Sequence, residues 1–155
     1  MTEYKMVDID ETPYLYQERT CSMDPQDISA AMGEVFQNVF AFIANRKIRS
    51  AHRPMSVYST YDPQKMTFRA GFGVSADDAR KADGDVKEGT LPAGRVLHFT
   101  HVGPYAKLRD SYGEMMKYLE EKNLAVGAPT WEIYVDDPQT TPEEKLRTEV
   151  YVTLA

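Results

Sequence analysis

The chain has 155 residues, of which 42% are hydrophobic and 27% charged, and it carries a net charge of −6. That length suits one domain of about 100 to 150 residues, the composition is too apolar for a disordered chain, and the acidic balance argues against nucleic-acid binding, which needs a basic face to neutralise phosphates. No apolar run nears the ~20 residues of a membrane helix, and the opening MTEYKMVDIDE lacks the basic-then-apolar order of a signal peptide, so no membrane association and a cytoplasmic location are expected.

The first strand candidates are MVDI and PYLYQERT. The single cysteine, Cys21, has no partner for a disulfide or a metal pair and reads as a small hydrophobe. Asp24 and Pro25 then supply a helix start, and Ile28, Met32, Val35, Phe36, Val39 and Ile43 recur at the three- and four-residue spacing of an amphipathic helix. The basic run NRKIR at 45–49 lies where that helix ends, and complements its exposed carbonyls. PMSVYSTYDPQ (54–64) and FRAGFGV (68–74) read as a hairpin whose turn is set by Asp and Pro; the G-F-G at 71–73 lies mid-strand with no helix after it, so it is not a phosphate loop.

The segment 75–94, SADDARKADGDVKEGTLPAG, is polar and broken by Gly and Pro, and reads as a linker with room for one short strand. RVLHFTHV is the next strand. Its His98 and His101, three apart, point to opposite faces and cannot share a metal, so no metal and no cofactor are expected; His101 is suited to fixing the turn that follows. Pro104 opens a second helix carried by Leu108, Tyr112, Met115, Met116 and Leu119. PTWEIYVDDPQ (129–139) and LRTEVYV (146–152) form a second hairpin.

The two halves correspond. At an offset of 80, Ile28, Met32, Gly33, Glu34, Val35, Phe36 and Val39 meet Leu108, Tyr112, Gly113, Glu114, Met115, Met116 and Leu119 with character kept throughout. The reading is one α+β domain over 1–155: module 1 (1–74), the linker (75–94) and module 2 (95–155), each strand-helix-strand-strand, forming a curved antiparallel sheet with both main helices on one face and a concave ligand cleft on the other.

Strand alternation then assigns the faces. Val150, Val152 and Leu154 are expected to meet the helices, and so are Trp131, Ile133 and Val135, which leaves Glu132, Tyr134, Glu149 and Tyr151 together on the concave face. Tyr14, Tyr16 and Tyr58 are candidates for the cleft lining, and Tyr105 is a packing residue of the second helix's first turn with ligand contact as the alternative. Module 1 has no counterpart acid: Gly71 and Gly73 stand where Glu149 and Tyr151 do, and Ser56 or Val57 where Glu132 does. A carboxylate among aromatic rings is poorly solvated. Glu132 therefore either neutralises an organic cation held by tyrosine faces, or carries a raised pKa for general acid or base work, or pairs across the strands with Arg147.

H-V-G-P-Y (101–105), Leu108 with Tyr112, W-E-I-Y-x-D-D-P (131–138) and T-P-E-E-K-L-R-T-E-V (141–150) together resemble the GyrI-like small-molecule-binding domain, also the effector-binding domain of bacterial multidrug-responsive transcription activators. The resemblance is strongest over 91–155. It implies recognition of bulky hydrophobic, cationic or aromatic compounds for drug or toxin sensing or sequestration. Glu132 would be the anchor, with Tyr134, Glu149 and Tyr151 carried over beside it; Tyr58, Tyr16 and Tyr105 complete the expected ligand-binding set by their places along the strands and the turn. Residues 1–20 already read as strands, so the chain resembles the stand-alone members. Two alternatives follow from those: hydrolysis of strained cyclopropane-containing genotoxins with Glu132 as catalytic acid or base, and modulation of DNA gyrase as a protein partner. Binding without turnover is the expectation.

Overall fold

The apolar stripe that begins at Ile28 folds as α1 (Pro25–Asn45) in the computed structural model, which describes residues 2–60 and 62–155. Asp24 caps it: its carboxylate accepts from the Gln26 backbone N–H at 2.8 Å, with Pro25 in the first turn. Asp24→Ala is expected to cost about 1 kcal/mol, which a thermal melt reads as a loss of about 2–4 °C for a chain of this size.

Around α1 run β1 (Lys5–Ile9), β2 (Thr12–Ser22), β3 (Pro54–Tyr58), β4 (Lys65–Gly73), the short α2 (Ala76–Ala79), β5 (Lys87–Leu91), β6 (Gly94–Val102), α3 (Leu108–Glu121), β7 (Val126–Tyr134) and β8 (Arg147–Leu154). Both D-P-Q turns form as read, with Asp62 and Asp137 each accepting from the backbone N–H two residues on. α3 begins later than Pro104 suggested: Pro104 keeps an extended backbone and a 3-10 turn, Tyr105–Lys107, precedes the helix.

All eight strands form one antiparallel sheet in the order β1-β6-β8-β7-β3-β4-β2-β5. The order maps onto itself when β1 exchanges with β5, β6 with β2, β8 with β4 and β7 with β3, so the β3/β7 pair lies at the centre. There Ser56 stands opposite Glu132, Met55 opposite Ile133 and Val57 opposite Trp131. The edge strands cross over. β5, from the segment read as a linker, pairs with β2, and β1 pairs with β6.

Cross-strand partners share a face, so the registers assign sides. Phe99, Val150, Glu132, Ser56 and Ala70 follow one another across the sheet on one face. α1 packs on that face over Leu15, Phe68, Ala70 and Phe72, and α3 packs on it over Leu97, Phe99, Val150 and Val152. The sheet curls away from the helices, and its concave face is filled by a second apolar cluster of Tyr14, Tyr16, Met55, Val57, Leu91, Val96 and Trp131.

That cluster corrects the expected side assignment of β7. Trp131 and Ile133 lie on the concave face, and Glu132 and Tyr134 face the helices. The physical reason is that apolar clusters line both faces of the sheet, so apolar residues on β7 do not identify the helix side. β8 is oriented as expected: Val150 and Val152 meet α3, and Glu149 and Tyr151 face the concavity.

Candidate functional site

Glu132 lies at the centre of the sheet, under the seam between α1 and α3, with 5% of its surface exposed. Its carboxylate accepts two hydrogen bonds, from the Tyr112 hydroxyl of α3 to Oε2 at 2.7 Å and from the Tyr134 hydroxyl to Oε1 at 2.7 Å. Because the Tyr134 hydroxyl donates to the acid, the bond between it and Ser56 Oγ runs the other way, Ser56 donating. Ser56, Tyr134, Glu132 and Tyr112 thus make one polar chain inside an apolar layer.

Aromatic rings enclose this chain. Tyr134 meets Phe36 of α1 edge-on at 6.1 Å between centroids and Tyr105 at 5.5 Å, and Tyr112 meets Phe99 at 6.2 Å. Tyr58, two residues from Ser56 on the same face of β3, is near enough to feel the charge of Glu132. Behind them His101 ties the loop to α3: its Nε2–H donates to the Pro104 carbonyl at 3.0 Å, and its Nδ1 shares a hydrogen bond with the Ser111 hydroxyl at 2.7 Å.

Burial raises the pKa of Glu132 from the ordinary carboxyl value, and the hydrogen bonds from Tyr112 and Tyr134 and the nearby His101 only partly oppose that. No lysine or arginine pairs with it among the described residues. Arg147, the partner expected across the strands, instead clasps Asp136 at 2.9 and 3.1 Å. Tyr112 and Tyr134 are pushed up by burial and by the charge of Glu132, so both stay protonated as donors. The uncompensated carboxyl can attract a cation or, in its neutral form, give up a proton.

Of the residues read from sequence, Glu132, Tyr134, Tyr58 and Tyr105 come together here. Glu149, Tyr151 and Tyr16 do not, because they lie on the other face of the sheet. There Glu149 binds the His98 imidazole and accepts from Thr100 at 3.1 Å, Tyr151 stacks on Trp131 at 5.5 Å, and the Tyr16 ring carries the Arg69 guanidinium at 4.4 Å. Grouping all seven at one site is therefore wrong, since Glu132 and Glu149 are on opposite sides of a continuous sheet.

Four participants were missed. Tyr112 was read as helix core, although a hydroxyl where the other half has Met32 was the available signal. Phe36 and Ser56 offered none. Thr148 lies beside Tyr134 on the same face, fully buried, and its hydroxyl has no hydrogen-bond partner. Glu132 itself is closed over: the cavities of ≈ 910 Å³ along the β2–β5 edge and ≈ 580 Å³ on the concave face are both lined by other residues.

Comparison with known proteins gives the context. The crystal structure of the EcmrR C-terminal domain superposes with a TM-score of 0.80 at 16% identity, covering 100% of this chain and 98% of that one. A structure described as a hydrolase from Listeria innocua gives 0.66 at 16% identity over 99% and 92% of the two chains. SAV2435 bound to tetraphenylphosphonium gives 0.63 at 17% identity over 99% and 94%. At these identities the likeness shows a shared fold. No curated protein matches the sequence. The sequence profile of the GyrI-like small molecule binding domain, however, matches residues 2–155, and the chain belongs to that family.

Proposed function

We propose that the protein binds bulky hydrophobic cations, with Glu132 supplying the counter-charge and Tyr58, Tyr105, Tyr112, Tyr134 and Phe36 supplying ring faces, in a sensing or sequestering role. The observation that carries this reading is the carboxyl of Glu132, buried without a cation and held only by tyrosine hydroxyls. A buried acid in that state favours an incoming positive charge, and each tyrosine face adds roughly 0.5–2 kcal/mol toward it. The unpartnered Thr148 hydroxyl beside Tyr134 offers a bound molecule one further polar contact. Entry requires Tyr105 and Phe36, which cover Tyr134, to swing aside; Tyr105 is already 36% exposed. Ligand-bound SAV2435, which shares the fold, holds a cation of this class.

The test is calorimetric titration of tetraphenylphosphonium into wild type and Glu132→Gln. Loss of the charge in a near-isosteric side chain is expected to weaken binding roughly ten- to hundredfold, or about 1.4–2.8 kcal/mol. Equal affinities would overturn the assignment of Glu132 as anchor.

The raised pKa of the same carboxyl favours a second reading, a hydrolase of cyclopropane-containing compounds in which protonated Glu132 is the general acid. Mass spectrometry after incubation with a cyclopropane-bearing alkylator separates the two. A hydrolysed product formed by wild type and lost in Glu132→Gln supports turnover, and an unchanged compound removes it.

A further inference from the structure

The concave face carries a cavity of ≈ 580 Å³ that the Glu132 site does not use. That volume lies within the usual ~300–1,000 Å³ range of small-molecule sites. Its floor is apolar, formed by Met55, Leu91, Ile133 and the stacked pair of Trp131 and Tyr151, whose rings lie 5.5 Å apart and 12° from parallel. His52 and Arg53, both exposed, stand at its rim, and no Asp or Glu lines it, although the chain carries 24 acidic residues against 18 lysines and arginines.

Two features show why the space exists and what charge it favours. Gly73 lines it at the β4 position that corresponds to Tyr151 in β8, so one half contributes a ring and the other contributes nothing. A Cβ built on Gly73 would meet His52 at 3.5 Å and Thr12 at 3.8 Å, ordinary contacts made without a clash. Arg53 makes no ion pair within 4 Å among the described residues. The carboxylate whose field it reaches, Asp136, is already held by Arg147 at 2.9 Å. An always-charged guanidinium at the mouth of an apolar, ring-floored cavity suits a ligand with a flat hydrophobic body and one anionic end.

We propose that the concave face is a second binding site, for aromatic carboxylates or sulfonates, with Arg53 and His52 holding the anionic group and the body lying against Tyr151 and Ile133. It opens on the side of the sheet opposite Glu132, so the chain takes up organic cations and organic anions at separate places. This site stands independently of the cation-binding reading.

The chain's single tryptophan, Trp131, is in the floor and serves as the reporter. The probe is 1-anilinonaphthalene-8-sulfonate, followed by quenching of tryptophan emission, with N-phenyl-1-naphthylamine as the analogue lacking the sulfonate. Wild type is expected to bind the sulfonate saturably at one site, and Arg53→Gln to weaken it several-fold to about tenfold while leaving the neutral analogue unchanged. Gly73→Val, which fills the cavity from a strand position, is expected to abolish binding of both. Glu132→Gln and saturating tetraphenylphosphonium are expected to leave sulfonate binding unchanged, so failure of one site does not imply failure of the other. The proposal is overturned by no saturable sulfonate binding to wild type, by undiminished binding to Arg53→Gln, or by displacement with tetraphenylphosphonium. Arg53 is exposed, so its variant decides the question even where Gly73→Val does not fold.

Discussion

Gly71→Ala is expected to destabilise the protein by roughly 3 kcal/mol or more, at the upper end of overpacking costs, whereas Gly73→Ala, two residues along the same strand, is expected to be neutral or stabilising. A Cβ on Gly71 would lie 1.8 Å from the Leu15 carbonyl oxygen, 2.8 Å from its carbon and 2.9 Å from the Tyr16 Cα. All three are backbone atoms of β2, the strand that pairs with β4 through Tyr16 and Gly71, so no side chain can rotate away to relieve the overlap. Relief requires β2 and β4 to separate where β2 also pairs with β5, and that loosens the curl that closes the concave cluster. At Gly73 the nearest atom is a His52 ring carbon at 3.5 Å, an ordinary contact. The alanine there restricts the unfolded chain, which is worth about 0.4–1 kcal/mol. Thermal melts of the two variants check the contrast. With about 2–4 °C per kcal/mol at this chain length, Gly71→Ala should melt roughly 6–12 °C or more below Gly73→Ala, and coincident melts would mean that β2 and β4 do not approach so closely.

These glycines also show how far the sequence could be read. That their sequence positions align with an acid and a tyrosine of the other half was legible, and so was the absence of side chains facing the concavity. That one of them is required by backbone contact and the other leaves a cavity depends on the local coiling of the sheet, which no pattern in the chain reports. The helices were legible because α1 and α3 each bury one stripe, and the hairpins because Asp62 and Asp137 close their turns on the backbone. β5 was legible only as room for one short strand in the segment 75–94, since Lys87–Leu91 is an edge strand paired with β2 and shows no apolar alternation. The side assignment of β7 failed for a different reason. Alternation says which residues share a face, and it correctly kept Glu132 with Tyr134 and apart from Trp131. It says which face meets the helices only where the other is polar, and here apolar clusters line both. The acid was therefore found in the right company of tyrosines but on the wrong side, and Tyr112, which reaches it from α3, could be placed only once that side was known.

The charge of Glu132 should make cation binding pH-dependent, with a proton released as the ligand enters. Burial holds the free carboxyl above its ordinary pKa, and a permanent cation against it favours the ionised form and pulls that pKa back down. Between the two values the free protein carries a proton that the complex lacks, so affinity for tetraphenylphosphonium rises with pH and levels off above the pKa of the free protein. Calorimetry at one pH in two buffers of different ionisation enthalpy reads the released proton directly. Wild type should show a buffer-dependent heat on the acid side of the plateau and Glu132→Gln none. The same shift acts on stability with its own sign. The folded pKa lies above the unfolded one, so the folded state binds the extra proton, and the contribution is fully present below the unfolded value near 4.5. It is lost as pH rises through the folded value. Wild type should therefore fall in melting temperature relative to Glu132→Gln as pH climbs from 4.5, and saturating tetraphenylphosphonium should reverse that fall in wild type alone, because only there does the ligand relieve a buried charge. Heats independent of buffer from acid to neutral pH, together with parallel melting curves for the two proteins, would mean that the tyrosine hydroxyls already keep Glu132 ionised and that no protonation step accompanies binding.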